Sequence, residues 1–157
     1  MGLMDKKLDK ILELFYEYPS KRFTLRNIEK LTKIPKSTVY TCLKQLKKQS
    51  MIDEQNQADD NILFKTRKTN HFIEKITESG ILEYIEEQLK PSCIILFGGI
   101  RKGESTKESD IDLFVEAPST KEIDLNKFDK ILGHKTDLFI KKDINDLPVI
   151  PIIPMVP

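Results

Sequence analysis

The stretch FGGIRKGESTKESDID, residues 97–112, brings together a glycine turn, basic residues and two aspartates one residue apart. Gly98, Gly103 and Ser105 repeat the spacing of a phosphate-binding loop, but Glu104 stands where that loop needs a lysine against the β- and γ-phosphates, and a carboxylate there repels nucleotide. The aspartates suggest another chemistry. In SDIDLFVEA, Asp110 and Asp112 project from one face of a strand, because side chains two apart share a face. Neighbouring carboxylates repel each other unless a cation lies between them, and Mg²⁺ takes one or two protein carboxylates plus substrate phosphate oxygens. The same pair can also serve as a polar strand edge or a helix cap. Further on, KTDLFIKK offers Asp137 on a later strand, and a third carboxylate can complete a two-metal site for in-line displacement at phosphorus.

These groups need a scaffold. After Pro91, SCIILFGG is a continuous apolar run ending in glycines, which predicts a buried strand entering a tight turn whose backbone N–H groups can approach an anion. A helix is expected over 122–132, between the strands carrying the aspartates.

In this order the elements resemble the nucleotidyltransferase superfamily that includes polymerase β, and within it the minimal stand-alone members. The resemblance rests on Phe97-Gly98-Gly99, on Asp110-Ile111-Asp112 and on Asp137, with Lys102-Gly103-Glu104 and Ser109-Asp110 matching the Arg-Gly-Glu and Ser-Asp of the minimal members. It covers residues 81–143. It implies that Gly98, Gly99, Lys102 and Ser109 hold the triphosphate of ATP or another NTP. It also implies that Asp110, Asp112 and Asp137 bind Mg²⁺, and that a nucleoside monophosphate passes to an acceptor as pyrophosphate leaves. Lys102 supplies charge but not the bidentate fork of arginine, and Gly99 lacks the hydroxyl of the serine common at that position.

The first seventy residues read differently. Leu8, Ile11, Leu12 and Phe15 form an apolar stripe that predicts a helix ending near Tyr18 and Pro19. Thr24 is suited to cap a second helix, which Pro35 closes, and a third is expected over 37–49 with Val39, Leu43 and Leu46 inward. Its other face carries Ser37, Tyr40, Thr41, Lys44 and Lys48, hydroxyls first and cations later, as a recognition helix does. MIDEQNQADDNILFKTRK then predicts two strands joined by a polar turn, the second ending in Lys65, Arg67 and Lys68. Three helices and a basic-edged hairpin resemble a winged helix-turn-helix domain of archaeal and bacterial regulators, which implies double-stranded DNA contacts from Lys36, Ser37, Thr38, Tyr40, Thr41, Lys44, Lys48, Lys65 and Arg67.

Charge supports the division. Residues 1–70 carry 15 Lys and Arg against 9 Asp and Glu, whereas residues 71–157 carry 11 against 16. A polyanion-binding half joined to an acidic, metal-binding half has this distribution. The fold expected is therefore α+β: a winged helix over 1–70, a helical linker over 71–80, and a small mixed α/β nucleotidyltransferase domain over 81–157. Residues 70–89 read as helix, broken at Gly80. Four prolines in the last ten residues exclude helix or central strand there, and that end is expected to lie extended over an apolar groove or a neighbouring subunit.

No run approaches the ~20 apolar residues of a membrane span, and no signal-peptide pattern opens the chain, so a cytoplasmic protein without membrane attachment is expected. Cys42, Cys93, His71 and His134 show no metal-ligand spacing and read as packing residues. The leading functional reading is a dimeric DNA-binding transcriptional regulator carrying a Mg²⁺-dependent nucleotidyltransferase domain. Two others compete: an antitoxin-type protein adenylyltransferase acting on a protein or toxin partner, and a nucleotide-sensing regulator whose transferase domain does not turn over.

Overall fold

The computed structural model describes residues 2–146, which fall into two units. Met1–Glu74 is joined by Gly99–Ser109 in the first; Lys75–Gly98 is joined by the chain from Asp110 onward in the second. The proline-rich end lies outside the described residues.

The first unit begins with α1 (Leu3–Glu17), α2 (Leu25–Thr32) and α3 (Lys36–Lys48). Thr24 caps α2 as expected: its Oγ1 accepts from the Asn27 N–H at 3.1 Å. Lys33 leaves α2 in the left-handed region, and Pro35 precedes α3. Ile11, Phe15, Ile28, Val39 and Leu46 are fully buried, so the apolar stripes read from the sequence do meet in a core. Phe15 and Phe23 pack edge to face with ring centroids 5.2 Å apart.

The expected wing is not built. Of its first strand only a single bridge remains, Ile52 with Ala58, around a turn in which Asp53 Oδ1 accepts the Gln55 and Gln57 N–H groups at 2.9 Å. Its second strand is replaced by a helix, α4 (Ile62–Glu78). Asn61 caps it, Oδ1 accepting from the Phe64 N–H at 2.8 Å, and Phe64, Lys68, Phe72 and Ile76 recur every four residues on its buried side. A lysine in that stripe concealed the helical period. Lys65 and Arg67 are thus helix residues, not wing residues.

In the second unit, α4 gives way at Gly80 (φ +78°) to α5 (Ile81–Leu89), the expected break. The strands β1 (Cys93–Phe97), β2 (Ile111–Glu116) and β3 (Thr136–Lys141) form one sheet in that order. β1 runs antiparallel to β2 and β3 parallel to it. The parallel pair needs a crossover, which α7 (Asn126–Leu132) provides, starting four residues later than expected. Ile81, Ile85, Leu89, Phe128 and Leu132 of the two helices are buried, as are Ile111, Leu113 and Val115 of the central strand. The expectation of a buried first strand is corrected: β1 is an edge strand, half-buried, with Ile95 36% exposed.

Among the described residues, no helix is long and apolar enough to cross a membrane. Cys42 and Cys93 are free thiols.

Candidate active site

Strand register decides which carboxylates meet. Asp112 on β2 pairs with Phe97 on β1 and with Asp137 on β3, so Asp112 and Asp137 stand side by side on one face of the sheet. Asp110 lies two residues before Asp112, immediately ahead of β2. The Asp112 carboxyl is held above its ordinary value, first by burial and then by the negative charges of Asp137 and Asp110. The three expected acidic residues therefore act on one another.

Gly98 completes this cluster from the end of β1. Its φ is +72°, and a Cβ placed there meets Asp112 Oδ2 at 2.0 Å. The backbone thus sits against the carboxylate as only glycine allows.

Lys135, which the sequence reading did not single out, donates to Asp137 Oδ1 at 2.6 Å. That hydrogen bond and the Asp137 charge raise the Lys135 ammonium above its ordinary value. The clue was available: Lys135 precedes Asp137 by two residues, the spacing that shares a strand face.

Gly99, Lys102 and Ser109 belong to the first unit, along Gly99–Ser109. The short helix α6 (Gly98–Lys102) leaves Lys102 exposed, and Gly103 follows in the left-handed region. Ser109 Oγ accepts from the Thr106 N–H at 2.8 Å. Gly99 has room for a side chain: a Cβ there comes no closer than 3.8 Å to any atom.

Among the described residues, no three His, Cys, Asp or Glu side chains gather as a group that could hold a metal ion by themselves. The donor set nevertheless suits Mg²⁺: it is all oxygen, its charges repel, and substrate phosphates ordinarily supply further ligands of that ion.

The expected DNA-contacting residues of α3 are exposed, apart from half-buried Thr38: Lys36, Ser37, Tyr40, Thr41, Lys44 and Lys48. Lys44 Nζ lies 5.8 Å from the Tyr40 ring centroid. Lys65 instead pairs with Asp60 at 3.1 Å and Glu104 at 3.9 Å, and Arg67 donates to Gln49 Oε1 at 3.1 Å.

A family model described as "Nucleotidyltransferase domain" matches residues 78–155. A protein of Methanocaldococcus jannaschii named "Putative protein adenylyltransferase MJ1379" is 42% identical over 69 residues, covering 40% of this chain and 69% of that protein. No solved structure matches the chain. By the similarity to this relative and the match of the family model, which spans the acidic strands, the chain belongs to the nucleotidyltransferase family, and the reaction class of its second half is nucleotidyl transfer.

Proposed function

We propose that this chain transfers a nucleoside monophosphate from ATP or another NTP to a hydroxyl of a protein acceptor, with Asp110, Asp112 and Asp137 as the metal-binding and catalytic carboxylates. The observation that carries the reading is the row of Asp112 and Asp137 on adjacent strands, with Asp110 beside them and Gly98 backbone against Asp112. The relative's name supports a protein as acceptor.

In the reaction a bond forms between the acceptor oxygen and the α-phosphorus while the bond from that phosphorus to the bridging oxygen breaks, and pyrophosphate leaves. The acceptor proton passes to a carboxylate of the row or to water. Asp110, Asp112 and Asp137 would hold Mg²⁺, which when bound would supply charge stabilisation to the phosphates. The family resemblance supports Gly98, Gly99, Lys102 and Ser109 as the triphosphate contacts. Lys135, bonded to Asp137, neutralises part of the acidic row.

The test is transfer of α-labelled ATP with Mg²⁺ to macromolecules of a cell extract. Label should appear in protein with the wild-type chain and be absent with Asp112→Asn. The variant should keep or raise its melting temperature at neutral pH. The sign follows from the raised pKa: above the ordinary carboxyl range the folded chain bears the cost of a repelled charge, so stability falls as pH rises, and the amide removes that dependence. Nucleotide binding without transfer would point instead to the sensing function.

A second reading is favoured by the exposed polar face of α3: the first unit binds duplex DNA and the chain regulates transcription, as a dimer on paired half-sites. Lys44→Ala should then weaken binding to all duplexes and lower the salt slope by about 1. An unchanged slope in salt titrations would remove Lys44 from the interface.

A further inference from the structure

The first unit contains a lysine where its core needs an apolar group. Lys68 lies in the buried stripe of α4 between Phe64 and Phe72, with 0% of its surface exposed. A buried ammonium is costly unless bonded; a leucine or methionine would fill the same place at no such cost. The Lys68 ammonium donates to the carbonyl of Ser105.

The next residue repeats the pattern. Thr69 Oγ1 lies 3.2 Å from the carbonyls of Ile100 and Arg101 and shares its one proton between them. Three backbone carbonyls of Gly99–Ser109 are thus held by two adjacent side chains of one helix. The same loop is fixed at two other points: Gly103 lies against the Lys65 backbone, and the Lys107 N–H donates to the Glu17 carbonyl at 2.8 Å.

We propose that Lys68 and Thr69 are positioning residues that impose the conformation of the loop 99–109, and through it the nucleotide affinity of the transferase. The effect on affinity rests on the reading that Gly99, Lys102 and Ser109 contact the triphosphate; the effect on the loop does not. By this device the helix that follows the first three helices holds the chain between the glycines and the aspartates in place.

Burial pulls Lys68 down to about 8, against the opposing influence of Glu17 from α1 and Asp60 from the segment before α4. Those carboxylates are themselves paired, Glu17 with Lys107 at 4.0 Å and Asp60 with Lys65 at 3.1 Å. A group lowered in this way costs stability while it is protonated, and the cost disappears as pH rises from about 8 towards the ordinary lysine value. Replacing Lys68 by an apolar side chain therefore should not weaken the fold at neutral pH, whereas it should free the loop.

The experiment compares Lys68→Met, Thr69→Val and Thr69→Ser with wild type, using backbone hydrogen exchange, melting temperature and ATP binding with Mg²⁺. Lys68→Met and Thr69→Val should speed exchange in 98–110 roughly tenfold, leave exchange in 25–48 unchanged, and weaken ATP roughly five- to tenfold. Thr69→Ser, which keeps the hydroxyl, should restore both. Lys68→Met should melt no lower than wild type at pH 7, and any gain should shrink above pH 8. If Lys68→Met does not fold, Thr69→Val decides alone. Unchanged exchange in 98–110 would overturn the proposal, as would faster exchange spread evenly over the first unit. Failure of the wild type to bind ATP would defeat the nucleotide reading, leaving hydrogen exchange to decide the positioning role.

Discussion

Gly98→Ala should reduce nucleotidyl transfer by at least about a hundredfold, the cost expected when a reacting group is displaced by about an ångström. The backbone there has φ +72°, which costs a non-glycine residue about 1–2 kcal/mol. The larger consequence is local. An added methyl falls 2.0 Å from Asp112 Oδ2 and 3.0 Å from its Cγ, so the carboxylate has to rotate away. Phe97 and Asp112 are register partners, which leaves the strands little freedom to separate and spare the side chain. Asp112 then leaves its place beside Asp137, and the acidic row is broken without any acidic residue having been changed. Label transfer measured beside Asp112→Asn checks this: both variants should be inactive, and transfer at the wild-type rate by Gly98→Ala would show that the position of Asp112 does not matter to the reaction.

The second large effect concerns the fold. Gly103→Ala should destabilise the protein by about 3 kcal/mol, combining left-handed strain with overpacking, and lower its melting temperature by roughly 10 °C. A Cβ at Gly103 meets the Lys65 carbonyl oxygen at 2.6 Å and the Lys65 Cα at 2.8 Å. These are backbone atoms of a helix, and unlike a side-chain tip they cannot turn aside. Gly80 provides the control. Its φ is similar, +78°, yet nothing lies within 4 Å of the missing Cβ, so Gly80→Ala should cost only the backbone strain of about 1–2 kcal/mol. Equal losses in thermal unfolding would place the whole cost of Gly103→Ala in its φ and remove the contact with α4 from the account.

The elements that sequence made legible are those governed by neighbours in the chain. Thr24 before Leu25, Pro35 before α3 and Gly80 before α5 each act within a few residues, through a side-chain cap, a missing donor or a permitted left-handed φ. The acidic site was legible for a similar reason: two residues along a strand restore the same face whatever lies around it. The strand pattern of KTDLFIKK offers Asp137 as a third carboxylate, but no local rule attaches it to Asp112.

Where the reading failed, the deciding partner was distant. Residues 62–68 looked like a wing strand because Lys65, Arg67 and Lys68 read as a basic, solvent-facing end. The structure instead buries Lys68 against Ser105, 37 residues away, and this makes the segment a helix whose stripe includes a charge. Asn61, the cap that marks the helix, closes the polar stretch that reads as a turn in the sequence.

Capping, period and strand alternation depend on residues a few positions apart, and they suffice to specify the three N-terminal helices, the break at Gly80 and the chemistry open to the aspartates. Folding alone sets Asp112 beside Asp137, Lys135 on Asp137, Lys68 and Thr69 on the carbonyls of Ser105, Ile100 and Arg101, and Gly103 against Lys65. Strand register, the burial of a charge and the space beside a glycine depend on atoms that folding brings together, and no spacing along the chain encodes them.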